Sequence, residues 1–270
     1  MPFFKDISKA SDDALGDDYT SKVSSKMKTK AGPVGVTCET TRVSKDKISL
    51  LSKLSFKWAG PSGFSVDKLQ LKDNGSHVLE TSLVGAAGNP NLKFTFKGDD
   101  SQKGDLGVEY SKGMLGLTAE MDIIELKKVS ASALVTKGDL AFGGNGTFKM
   151  AGSSVDKFSL GASYSSGPIF AALTTDKFAG ANLGLMYKVN GDLSLATSSS
   201  HSADKPLDSV TIGCVYNAPV GVVKAKCTSG GVASAVLVKD VAKKVTVTPS
   251  LQVKNGDIKN ASFGFGVVMG

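Results

Sequence analysis

No apolar run in this chain exceeds four or five residues, far short of the roughly 20 that a membrane-crossing helix needs. A spanning helix is therefore excluded. The hydrophobic share is 41% and the mean hydropathy +0.00, values that would suit a water-soluble protein. They also suit a membrane-crossing sheet, in which only alternate residues face lipid. Cysteine is scarce, with Cys38, Cys214 and Cys227 alone and no C-x-x-C spacing. This argues against a disulfide framework or a zinc site and leads us to expect reduced thiols. The two histidines, His77 and His201, are far apart and each lies near a turn, with no Cys or His at ligand spacing. Since G-x-S-x-G, H-E-x-x-H and Walker-type loops are also absent, we expect no catalysis, no metal and no cofactor. Phe3 and Phe4 are followed at once by Lys5 and Asp6, so no apolar signal segment is read and insertion from the cytosol is expected. The three N-x-S/T sequons, at Asn74, Asn145 and Asn260, then read as chance matches.

One stretch has a helical period. From Pro2 to Tyr19, Phe3, Ile7, Ala10 and Ala14 recur at i, i+4, i+7 and i+11, with Phe4 and Leu15 beside them. This stretch is also acidic. It holds Lys5 and Lys9 against five aspartates, a net −3 within a chain of net +7, so the rest carries +10. Opposite charge would favour docking of the first segment on the basic remainder.

Beyond Thr20 the period is two. Leu92, Phe94 and Phe96 alternate with Lys93, Thr95 and Lys97, and Phe158, Leu160, Ala162 and Tyr164 alternate with serine and glycine. Turn signals such as Gly32-Pro33, Asp73-Asn74-Gly75 and Asn190-Gly191-Asp192 are spaced too closely for intervening helices. Antiparallel hairpins follow. The polar phase is rich in Lys, Thr, Ser and Gly, and many of the 31 glycines fall inside strands. Such residues suit a water-filled, curved barrel better than a packed sandwich core. The expected fold is an all-β, transmembrane, antiparallel barrel of about 19 strands over residues 21–270, with a short N-terminal helix and hinge over 1–20 inside the pore. An odd count requires the first and last strands to pair in parallel. Trp58, Tyr19, Tyr164 and Tyr187 are candidates for interface girdles.

Four stretches carry a family resemblance. Pro2-x-Phe4-x-Asp6-Ile7-x-Lys9 resembles the P-x-Y-x-D-L-x-K start of the mitochondrial porins, or voltage-dependent anion channels, and Lys28-Thr29-Lys30 resembles the K-T-K opening their barrel. Asn91-Leu92-Lys93 stands where that family has a G-L-K triplet implicated in nucleotide binding. Ala225-Lys226-Cys227-Thr228-Ser229 and Ser234-Ala235-Val236-Leu237 follow part of its signature. At the C-terminus, Ser262-x-Gly264-x-x-Val267-x-Met269 is similar to the signal by which such barrels are recognised for insertion. Three departures stand out: a single glycine, Gly16, in the hinge; Asp12 where an Arg is usual; and no membrane-facing Glu in phase near Phe64 and Val66.

The resemblance implies a voltage-gated, weakly anion-selective channel of the mitochondrial outer membrane passing ATP, ADP, phosphate and small ions. If the apolar phase faces lipid, Lys93, Lys97, Lys188, Lys224, Lys226 and Lys254 line the lumen and favour anions. Lys9 and Lys93 are the expected nucleotide contacts. Phe3, Phe4, Asp6, Ile7, Lys9, Leu15 and Gly16 belong to the expected gating helix, its apolar face packed on apolar wall residues. Expected partners are the lipid bilayer, permeant nucleotides and anions, the barrel-insertion machinery and further copies of the chain, with no nucleic acid. Two alternatives are an import pore of the same barrel superfamily and a soluble β-rich binding or structural protein.

Overall fold

A computed structural model describes residues 3–42, 50–101, 103–150, 152–205 and 207–270. Pro2 of the family-like start and positions 47–49 of the third expected strand lie outside the described residues. The chain opens with a 3-10 turn at Phe4–Asp6 and a helix α1 at Lys9–Gly16. Strands then follow one another: β1 Val23–Ala31, β2 Val34–Arg42, β3 Leu50–Ala59, β4 Phe64–Lys72, β5 His77–Val84, β6 Leu92–Asp99, β7 Gly104–Lys112, β8 Leu115–Asp122, β9 Lys128–Lys137 and β10 Leu140–Lys149. The second half holds β11 Ser154–Ser166, β12 Ile169–Asp176, β13 Gly180–Lys188, β14 Leu193–Ser202, β15 Ser209–Ala218, β16 Gly221–Thr228, β17 Val232–Ala242, β18 Val245–Lys254 and β19 Asp257–Met269.

Each strand pairs antiparallel with the next, and β1 closes on β19 in parallel, Val23 opposite Phe265 and Met27 opposite Met269. The result is a closed barrel of nineteen strands. At 8 to 13 residues, the strands match the ~9–11 needed to cross a bilayer at a tilt. Barrels this wide leave room for an aqueous channel.

The apolar phase points outward. Phe142, Val155, Ile212 and Phe263 are exposed, Phe263 at 70%, on a surface that only lipid would cover. Tyr164 and Tyr187 share that outer face. Trp58 pairs with Val34 and meets Phe64 edge-on at 6.1 Å. Strand β9 begins two residues later than its apolar pattern, from position 126, suggests. There the Asp122 carboxylate accepts the backbone N–H of Ile124 and Glu125, holding Leu126 at a positive φ of 52° outside the strand.

Candidate functional site

The inside of the barrel is shaped by residues 3–20. The 3-10 turn lies on β9 and β10, α1 lies on β13 to β15, and the following linker crosses β16, β18 and β19. The belt thus covers one side of the lumen and leaves most of β1 to β8 bare.

Its buried face differs from the expected one. Phe4, Ile7, Ser11 and Leu15 are buried, while Phe3, Ala10 and Ala14 are only half-buried. The tight first turn advances the face by three residues, from Phe4 to Ile7, and steps of four follow. The wall beneath also departs from the expectation of apolar packing. Phe4 and Ile7 meet Leu134 and Ala141, and the rest of the bed is built of small residues, the buried Ala172 and Ala196 and a series of glycines. A side chain added at Gly143 would meet Phe4, at Gly161 Ile7, at Gly184 Ser11, at Gly213 Leu15 and at Gly264 the carbonyl of Thr20. Glycine inside these strands lets a helix backbone approach the sheet closely. Ser11, with no exposed surface, satisfies its hydroxyl by donating to the Ser8 carbonyl at 2.9 Å.

The linker is held by two lysines of β16. Lys226 Nζ donates to the Leu15 carbonyl at 2.6 Å and sits 4.1 Å from the Tyr19 ring centroid. Leu15 is in the last turn of α1, where carbonyls lack helical partners and the helix dipole is negative, so a lysine caps it favourably. Lys224 pairs with Asp18 at 2.7 Å, and Ser250 Oγ donates to the Thr20 carbonyl. Asp18, not Gly16, takes the left-handed conformation, with φ 71°, which Asp tolerates better than most residues.

Tyr19 is inside the pore, so it cannot belong to an interface girdle. Burial, then the nearby Cys214 thiol and Asp18 carboxylate, push its phenol from 10.0 up to about 12, and its hydroxyl has no hydrogen-bond partner among the described residues. An acid whose folded pKa is raised loses stabilisation as pH climbs from the unfolded to the folded value. Docking of the linker should therefore be unaffected by this group below pH 10.0 and weaken between 10.0 and about 12. Ultraviolet titration of the protein against its Tyr19→Phe variant should reveal one phenol ionising in that upper range; a difference centred at 10 would remove the effect.

Lys93, Lys97, Lys224, Lys226 and Lys254 share the inward phase, set by the reach of Lys226 into the lumen and by strand register. Lys188 shares a face with Gly184 at the far end of β13. They do not form an even ring. Lys93 stands between Asp67 at 3.9 Å and Glu109 at 3.8 Å, and Glu109 also meets Lys5 at 3.4 Å. Lys97 lies opposite Glu80 on one side and Asp105 on the other. Lys9 faces its own Asp13 at 3.4 Å. Of the segment's acids, Asp18 reaches a barrel lysine, whereas Asp12 accepts from Ser8 and Asp6 from the Phe3 backbone.

A closed nineteen-strand barrel around such a segment has a counterpart among known families: the eukaryotic porin family model matches residues 1–266. The chain belongs to the eukaryotic porin family. This porin is 24% identical over 271 residues to mitochondrial outer membrane protein porin 1 of Arabidopsis thaliana, covering 98% of this chain and 97% of that protein. It is likewise 24% identical over 207 residues to mitochondrial outer membrane protein porin 1 of Oryza sativa subsp. japonica, covering 74% and 76%. Mutants of Rh. blastica porin share the fold at TM-score 0.51 and 14% identity, over 84% of this chain and 92% of theirs. Porins are membrane channels that pass small solutes.

In this porin the residues expected to form an insertion signal lie on β19. Gly264 faces inward against Ser250 and Thr20, and Ser262 shares its face, while Val267 and Met269 take the outward phase beside Ser25 and Met27. The cysteines are free; Cys214 and Cys227 share the outward phase of β15 and β16. Sequence reasoning missed two features of the porin lumen. The first is the glycine bed. The second is the set of inward lysines on β1 and β3, whose outward neighbours Ser25, Thr29 and Ser52 are polar enough to hide the alternation.

Proposed function

We propose that this porin is a voltage-gated, weakly anion-selective channel of the mitochondrial outer membrane, passing phosphate, ADP, ATP and small ions. The carrying observation is the acidic N-terminal belt tied inside a basic barrel by Lys224 and Lys226. A segment of net −3 inside the pore feels the transmembrane field, since each charge crossing it changes the energy by about 2.3 kcal/mol per 100 mV. Its displacement would alter pore width and so gate conduction. Among the lysines, Lys97, Lys188 and Lys254 join the general field; Lys93 would contact a nucleotide phosphate by leaving Asp67 and Glu109, and Lys9 by leaving Asp13. Ser262, Gly264, Val267 and Met269 would be read by the insertion machinery before the barrel closes.

Planar-bilayer recordings under a salt gradient test this reading. They should show stepwise conductance, a reversal potential favouring chloride over potassium, and closure at elevated voltage of either sign. A protein that inserts into bilayers without conducting would exclude it.

A further inference from the structure

Resting on that channel reading, we infer that the anion preference is set chiefly by five lysines on β1 and β3, which take multivalent phosphate anions at one mouth of the pore. The inward face of β1 is fixed by Gly264, which touches the linker, and by Gly266, whose added side chain would lie 3.7 Å from Ser24 Oγ. Alternation from Ser24 then turns Lys26, Lys28 and Lys30 inward. Antiparallel register carries the face through Glu39, Thr37 and Gly35 of β2 to Lys53, Ser55 and Lys57 of β3.

This patch differs from the neighbouring wall in balance. On β4 to β8 most inward lysines are offset: Lys68 meets Glu80 at 3.6 Å, Lys93 is held by Asp67 and Glu109, and Lys97 lies between Glu80 and Asp105, while Lys72, at the end of β4 opposite Lys53, continues the patch. Glu120 adds a further inward acid opposite Gly107. On β1 to β3 one acid, Glu39, stands opposite Lys26 and Lys53, and none of the five lysines forms an ion pair among the described residues. The N-terminal belt does not cover these strands.

The geometry suits phosphate. Lys30 and Lys57 both lie opposite Gly35, which has no side chain between them. Their strands are about 10 Å apart, twice the strand spacing, a gap two flexible lysines can close onto one phosphate as point charges. Lys28 and Lys53 can meet a second phosphate of the same chain. Lys30 is two residues from Gly32, where β1 turns into β2 at the rim, so the patch meets anions as they enter.

The test compares variants in planar bilayers under a potassium chloride gradient, with ATP added to one side. Lys28→Ser, Lys30→Ser and Lys57→Ser together should lower the chloride-to-potassium permeability ratio about threefold or more and abolish ATP-induced current noise. Lys93→Ser with Lys97→Ser should lower the ratio by less than half as much, and Glu109→Gln with Glu120→Gln should raise it. Equal shifts from the two lysine sets, or ATP noise that survives the triple substitution, would overturn the assignment while leaving the channel intact. A wild-type protein that forms no pore would remove the channel reading and this assignment together.

Discussion

Replacing Gly184 by valine should release the N-terminal helix from the barrel wall. The new side chain would overlap Ser11 Oγ and lie 3.1 Å from Ser11 Cβ, a fully buried residue at the centre of the docked face. Ser11 cannot retreat alone, because Phe4 and Ile7 on one side and Leu15 on the other are seated on the same bed. Overpacking of this kind costs about 1–3 kcal/mol, which raises the undocked population roughly 5- to 150-fold. Trypsin reads this directly. Cleavage after Lys5 or Lys9 should be slow in the wild-type protein, where the barrel shields both, and roughly 5- to 150-fold faster in the variant. Strand content by circular dichroism should be unchanged, because Gly184 lies opposite the small residues Ala172 and Ser198. Equal cleavage rates would mean that the glycine bed does not hold the helix.

Deleting residues 1–19 should abolish voltage-dependent closure, leaving a channel that stays open at voltages that close the wild type. A finer probe is Lys226→Met, which keeps the length of the side chain and removes its hydrogen bond to Leu15 and its charge over Tyr19. A hydrogen bond from a charged group contributes about 1.5–3 kcal/mol. Spread over a segment of net −3 at about 2.3 kcal/mol per charge per 100 mV, its loss should move the closing midpoint toward zero by roughly 20–40 mV. The sign follows from the latch favouring the docked, open state. Bilayer recordings would refute this role if the truncated channel closed normally or the midpoint of the lysine variant moved away from zero.

Much of the barrel could be read from residue order. A period of two is unmistakable where large apolar groups alternate with small polar ones, as from Phe158 to Ser165, and hairpin signals such as Asn190-Gly191-Asp192 bracket the strands closely. Parallel closure followed from an odd count. The site was less legible. A helical wheel could not find the buried face because the turn at Phe4–Asp6 has a different period from α1. A glycine within a strand looks the same whether it eases curvature or makes room for a helix; only the position of Ser11 over Gly184 tells these apart. The lysines of β1 were hidden because Ser25 and Thr29 weaken the outward apolar signal. Pairing across strands, such as Lys93 with Glu109, depends on register that alternation alone does not supply.

The parallel seam between β1 and β19 has a consequence for the order of assembly. Its register joins Val23–Met27 to Phe265–Met269, at opposite ends of the chain, and the Phe265 amide donates to the Lys22 carbonyl beside it. Such contacts have the largest loop-closure cost in the molecule and form last. Until the final strand arrives, every shorter chain is an open sheet with two unpaired edges. Shutting the seam removes those edges and, in the same event, turns the trough that holds the N-terminal segment into a cylinder around it.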